Sequence, residues 1–164
     1  MLLDGARHPD IAPLVRFGRL EFACLYSGSL SPTLQAAAPY IVHLAAASAQ
    51  TRELLSRAWG NSWGMLTIGP SHLMLDQQRM HFKKMLRVCD ESGQRLNFRF
   101  YDPRVLRIYL PTCTRDELTT FFGPVPQFVL EGATSSELVD YVLDRNGLRV
   151  ASHCLSDGNT ANNP

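Results

Sequence analysis

Two hydrophobic periods run through the chain, and they change over at residues with turn or capping chemistry. Ile11, Leu14 and Val15 recur at spacings of three and four, which predicts a short amphipathic helix with Asp10 placed to cap it. Phe22, Cys24 and Tyr26 alternate with their neighbours and lead into Ser27-Gly28-Ser29, a strand ending in a turn. Residues 32–39 read as a connection of small residues, 40–44 and 65–68 as short apolar strands, and 51–59 as a helix stopped by Gly60. The longest predicted helix follows Gly69-Pro70-Ser71, with Ser71 as its N-cap. Leu75, Phe82 and Leu86 supply its apolar side, while Arg79, Lys83 and Arg87 fall at i, i+4, i+8 as one basic stripe with Lys84 beside it.

The second half is punctuated as clearly. Leu96, Phe98 and Phe100 alternate with Asn97, Arg99 and Tyr101, a strand pattern. Asp102-Pro103 sets a capping oxygen before a proline at the first helical position, where a missing N–H costs nothing, and Pro111 closes the helix that follows. Thr114 and Glu117 form a capping box, Cys113 and Leu118 a hydrophobic staple, and Gly123-Pro124 a stop. Residues 127–130 read as a strand, 136–145 as a helix ended by Asn146-Gly147, and 156–164 as a disordered polar tail. Strands and short helices alternate, so the predicted fold is α/β: a single compact domain with a mixed sheet flanked by short helices.

Composition narrows the function classes. A chain of 164 residues, 45% apolar and 19% charged, fits one domain with a core of its own. A formal net charge of +1 gives no global field for a polyanion, which argues against nucleic acid and against an anionic membrane surface. The basic residues are 14 Arg and 2 Lys, a bias toward the planar fork that protein interfaces favour. Charge is also segregated: residues 79–107 hold eight basic and three acidic groups, and 116–157 seven acidic and two basic. Either the two blocks face each other within the fold, or the basic one is an exposed face for a partner.

Catalytic and metal signatures are missing from the sequence. Cys24, Cys89, Cys113 and Cys154 are scattered, without metal-ligand spacing, and His8, His43, His72, His81 and His153 are isolated, so neither a metal nor another cofactor is expected. No apolar leader or membrane span is legible, which predicts a cytoplasmic protein with reduced thiols. Trp59-Gly60-Asn61-Ser62-Trp63-Gly64 is not a nucleophile elbow and reads as a helix-to-strand turn, its tryptophans either core aromatics or interface anchors. Arg99-Phe100-Tyr101-Asp102-Pro103-Arg104 concentrates charge at a strand end. It either binds an anion, as an enzyme or small-molecule sensor would, or Asp102 caps its helix while Arg99 and Arg104 pair internally.

In order, Leu3-Asp4-Gly5-Ala6, Leu25-Tyr26-Ser27-Gly28, Ala38-Pro39-Tyr40-Ile41-Val42, Trp59-Gly60-Asn61-Ser62-Trp63-Gly64, Arg99-Phe100-Tyr101-Asp102-Pro103-Arg104 and Phe121-Phe122-Gly123-Pro124 resemble the adaptor (effector chaperone) family of bacterial type VI secretion systems. The resemblance covers about residues 2–130. It implies an adaptor domain over 1–131; beyond it the residue pattern alone predicts a C-terminal helical extension over 132–155 and the tail over 156–164. It also implies a non-enzymatic cytoplasmic protein without a cofactor, which holds a cognate toxin effector and helps load it onto the valine-glycine-repeat spike. Trp59, Trp63, Arg79, Lys83, Arg87, Arg99 and Arg104 are the candidate partner-binding residues, and Asp102, Pro103, Gly123 and Pro124 are expected to serve the fold.

Overall fold

The computed structural model describes residues 1–89 and 92–155. Among them the chain forms strands β1 (Leu2–Asp4), β2 (Phe22–Cys24), β3 (Pro39–Val42), β4 (Gly64–Ile68), β5 (Arg87–Cys89), β6 (Arg95–Asn97), β7 (Gln127–Glu131), β8 (Glu137–Asp144) and β9 (Gly147–Cys154). The helices are α1 (Ile11–Phe17), α2 (Pro32–Ala36), α3 (Ala49–Ala58), α4 (Leu75–Met85), α5 (Pro103–Tyr109) and α6 (Arg115–Phe122), with 3₁₀ turns at Gly5–Arg7 and Leu110–Thr112. Seven strands make one sheet in the order β2-β3-β1-β4-β7-β8-β9, and β5 with β6 makes a separate ribbon.

The α/β class and the single body are as the sequence predicts. Within the sheet, each pairing among the described residues is antiparallel, where a mixture of directions was expected. The helix between β3 and β4 does mark a crossover between two strands of like direction. β1 fills the slot between them, so neighbouring strands oppose one another.

The sheet centre is buried on both sides, as an unbroken apolar strand requires. Leu2, Ile41 and Met65 project into a core with Phe82 of α4, Leu106 of α5, and Leu118, Phe121 and Phe122 of α6. Leu3, Tyr40 and Val42 project the other way, onto Ile11 and Val15 of α1 and Leu54 of α3. β4 lies so close to β1 that a Cβ at Gly64 would overlap the Leu2 carbonyl oxygen.

Local capping chemistry sets several boundaries. Thr114 Oγ1 accepts from the Glu117 N–H at 3.4 Å while Glu117 Oε2 accepts from the Thr114 N–H at 2.7 Å, closing the capping box of α6. Asp102 Oδ1 accepts from the Arg104 N–H at 3.0 Å, and Pro103 opens α5. The same cap-then-proline signal acts at Ser31-Pro32, so α2 stands where only a connection was expected. Asp10 does not cap α1, because its carboxylate turns to the Arg57 guanidinium. α4 begins at Leu75 rather than after Ser71, where Gln77 Oε1 accepts from the Met74 N–H at 2.9 Å.

Residues 132–155 are a β-hairpin, not a helical extension. Leu138, Val142 and Leu143 imitate a helical spacing, but Val139 and Tyr141 alternate into the core and β7 offers an edge that β8 completes. Asn146-Gly147, expected as a helix stop, belongs to a hairpin: Arg145 and Asn146 form its loop and Gly147, at a φ of 121°, opens β9. The tail expected over 156–164 lies outside the described residues.

Candidate functional site

The candidate residues fall in three places. In the first, α3 turns into β4 through Gly60 and Ser62, both in the left-handed region with φ of 81° and 52°. The Glu131 carboxylate, buried at the end of β7, accepts from the Gly60 N–H at 2.8 Å and the Ser62 N–H at 2.7 Å. Burial pushes the Glu131 carboxyl above the ordinary range, and the two N–H donors with the Arg107 charge only partly reverse that. Trp59 donates its indole N–H to the Ser135 carbonyl at 2.7 Å. Trp63 is buried, stacked on His8 at 5.2 Å with the Arg57 guanidinium 5.8 Å from its ring centre. This corrects its candidacy as a partner anchor: Trp63 packs in the core, and Trp59 fastens α3 to the β7–β8 connection.

The second place is the Arg99 to Arg104 segment, which pairs with its own chain. Arg99 meets the Asp4 carboxylate, and Arg104 grips Asp102 through Nε at 3.0 Å and Nη2 at 2.6 Å. Burial raises the Asp102 carboxyl, but hydrogen bonds from the Arg104 side chain and N–H, with the charges of Arg104 and Arg99, outweigh it and hold the group below its ordinary value. Hydrogen bonding to Asp4 and to Asp102 raises the Arg99 and Arg104 guanidinium values respectively. Both guanidinium groups therefore already meet a carboxylate of the chain itself, Arg104 through two nitrogens and Arg99 through one.

The third place is the basic stripe, which the structure divides. Arg79 turns inward and donates from Nε to the Cys24 carbonyl at 2.8 Å, with Asp76 3.7 Å from its guanidinium. Arg87 does not continue the helix, since α4 ends at Met85 and Arg87 opens β5. Lys83, Lys84 and Arg87 nevertheless converge on one rim of a groove of about 570 Å³. Leu86 lines it from the same stretch of chain, and Leu25, Tyr26, Leu30 and Leu34 line it from the β2–α2 stretch. Among the described residues no carboxylate pairs with these three cations, and no ion pair joins the basic block to the acidic one. Arg107, the block's last member, instead donates to the carbonyls of Glu131 and Gly132.

The stretch from Leu30 to Leu34 is braced by hydrogen bonds within the chain. Gln35 Nε2 donates to the Leu30 carbonyl at 3.1 Å, Arg16 donates to Gln35 Oε1 at 2.7 Å, and the Tyr40 hydroxyl donates to the Gln35 carbonyl at 2.6 Å. Leu34 stands out from this stretch half exposed, at 52%. The sequence pattern did not nominate Leu30 or Leu34. The cap-then-proline signal at Ser31-Pro32 was the one local cue to an ordered wall there.

Gly123, at a φ of 51°, ends α6 against the His81 ring, in keeping with a structural role. Among the described residues no group of three or more His, Cys, Asp or Glu side chains is arranged to hold a metal ion, and the four cysteines are free. No helix among them is long and apolar enough to cross a membrane.

The model of a family described as a domain of unknown function (DUF4123) matches residues 1–120. The chain belongs to the DUF4123 family. No curated protein and no solved structure matches it. The DUF4123 region holds every residue of the groove and the Arg99 to Arg104 segment, and it stops within α6, so β7, β8 and β9 lie beyond it.

Proposed function

We propose that this DUF4123 chain is a non-catalytic adaptor of a bacterial type VI secretion system. In this reading it works in the cytoplasm without a cofactor, holding a cognate toxin effector and helping to load it onto the valine-glycine-repeat spike. The observation that carries the reading is the groove lined by Leu25, Leu30, Leu34 and Leu86 together with Lys83, Lys84 and Arg87, three cations that make no ion pair among the described residues. Everywhere else the nominated charges are closed on partners within the chain, so the free interaction capacity is concentrated at a surface suited to a protein. Family membership supports it, because the motifs by which the chain resembles the adaptors begin at Leu3 and nearly all lie inside the matched region. Anion sensing by Arg99, Asp102 and Arg104 has less support, since both guanidinium groups already meet carboxylates.

The test is co-purification of the tagged chain from its native cytoplasm, with the bound proteins identified by mass spectrometry. The expected result is a toxin effector together with the spike protein, and loss of the effector when Lys83→Glu and Arg87→Glu are combined. Capture of neither, or turnover of a nucleotide or ester by the purified chain, would overturn the proposal.

A further inference from the structure

We infer that the groove receives an acidic amphipathic segment of the partner protein, its apolar side chains seated against Leu30, Leu34 and Leu86 and its carboxylates set on Lys83, Lys84 and Arg87. This rests on the adaptor reading and specifies the chemistry of the partner. Two independent features of the groove select that occupant. Its apolar part includes Leu34, half exposed on a wall braced through Gln35, so an incoming side chain covers leucine surface without first ordering it. Its lining cations all lie on the α4–β5 side, and the lining residues from Leu25 to Leu34 carry no charge. A segment with apolar residues on one face and carboxylates along one border matches both halves; a lysine-rich one would meet three like charges.

Other occupants fit less well. A nucleic acid strand needs a longer cationic track with stacking aromatics, and Tyr26 is the single aromatic lining the groove. A small anion has no enclosed cradle, because Lys84 and Arg87 are exposed and hold their charges in water. The chain's own carboxylates leave these cations unpaired among the described residues.

The experiment uses the full chain and a labelled helical peptide with leucines on one face and glutamates on the other, read by fluorescence anisotropy. Leu34→Asp, and separately Lys83→Glu with Arg87→Glu, should each weaken binding about tenfold or more while the melting temperature stays that of the wild type. Exchanging the peptide's leucines for alanine, or its glutamates for lysine, should abolish binding. The inference is overturned if the wild type does not bind the peptide, or if Leu34→Asp binds as the wild type does. It is equally overturned if polyglutamate or an oligonucleotide binds as tightly, or if the groove is instead closed by a second copy of the chain on sizing. The adaptor reading fails separately: an effector captured with unchanged affinity by Leu34→Asp removes only the groove chemistry, whereas peptide binding without any effector removes only the adaptor role.

Discussion

The Arg99 guanidinium closes on the carboxylate of Asp4, a residue 95 positions earlier at the end of the interior strand β1. The two ends of the pair live in different solvents: the Asp4 side chain is 1% exposed and that of Arg99 46%. Asp4 also accepts from the Ala6 N–H at 3.1 Å, so one buried carboxylate ties together a sheet strand, the turn after it and the segment leading to α5. An arginine that looks available for a ligand in the sequence is thus the counter-charge of the sheet centre.

Removing the two partners should therefore have unequal cost. Arg99→Ala strands a buried charge and is expected to lower stability by about 3 kcal/mol, whereas Asp4→Asn keeps the volume and leaves a guanidinium that water can solvate, at about half that cost. Urea unfolding of both variants measures the difference. Equal losses would show that Asp4 is hydrated when unpaired.

Asp102→Ala removes the cap of α5 and the Arg104 grip, and is expected to cost about 1 kcal/mol while partner affinity stays unchanged in the folded variant. Because the folded Asp102 carboxyl sits below its ordinary value of 3.8, its contribution is present above that value and is lost as pH falls through the folded pKa. The gap between wild type and variant should accordingly narrow in acid. Unchanged thermal stability with binding abolished would move Asp102 into the recognition surface.

Glu131 has the opposite sign. Burial holds its folded pKa above the ordinary 4.5, so the folded state binds a proton first, and this group adds stability as pH falls from the folded pKa toward 4.5. Glu131→Gln offers one acceptor oxygen to two N–H groups and should cost about 1–2 kcal/mol at neutral pH. The gap to wild type should widen toward pH 4.5, as chemical denaturation across that range will show.

Gly123→Ala meets two obstacles at once: a φ of 51° and a Cβ driven into the His81 ring. The His81 imidazole is fixed there by a 2.8 Å contact between Nε2 and the Phe121 carbonyl. A loss of about 2 kcal/mol or more is expected, smaller when measured in a His81→Ala background because only the backbone strain remains. Additive losses in the double variant would mean that the ring yields.

What was legible in the sequence was what residues a few positions apart decide. The Thr114–Glu117 box and the Asp102-Pro103 start needed no tertiary context, and both stand in the structure. The partners of charged groups did not have that property. Arg99 with Asp4, and Glu131 with Gly60 and Ser62 across 71 and 69 positions, are choices made by the folded sheet. The hairpin of β8 and β9 reads as a helix in the sequence for a related reason: its leucines and valines satisfy both periods, and the open edge of β7 selects the strand. The groove was half visible, through Lys83 and Arg87, while its leucine wall depended on α2, too short a helix for periodicity to reveal.

The stripe that the sequence draws as one feature should divide in experiment as it does in the structure. Arg79 holds the Cys24 carbonyl and so joins α4 to the edge strand β2; Arg79→Ala should lower the melting temperature, since it leaves a partly buried acceptor without its donor. Lys83 and Arg87 line the groove and make no ion pair among the described residues, so Lys83→Glu with Arg87→Glu should leave the melting temperature almost unchanged. Charges at a groove rim act chiefly on encounter, and the reversal should slow association with purified effector more than it speeds dissociation. Salt should mimic the variant in the wild type, because the screening length falls from about 10 Å at 0.1 M to about 3 Å at 1 M. The double variant, already without attraction, should respond to salt weakly or with the reverse sign. Stopped-flow association and thermal melts on the same preparations decide the matter. A large fall in melting temperature in the double variant, or an association rate that neither reversal nor salt alters, would remove Lys83 and Arg87 from the interface.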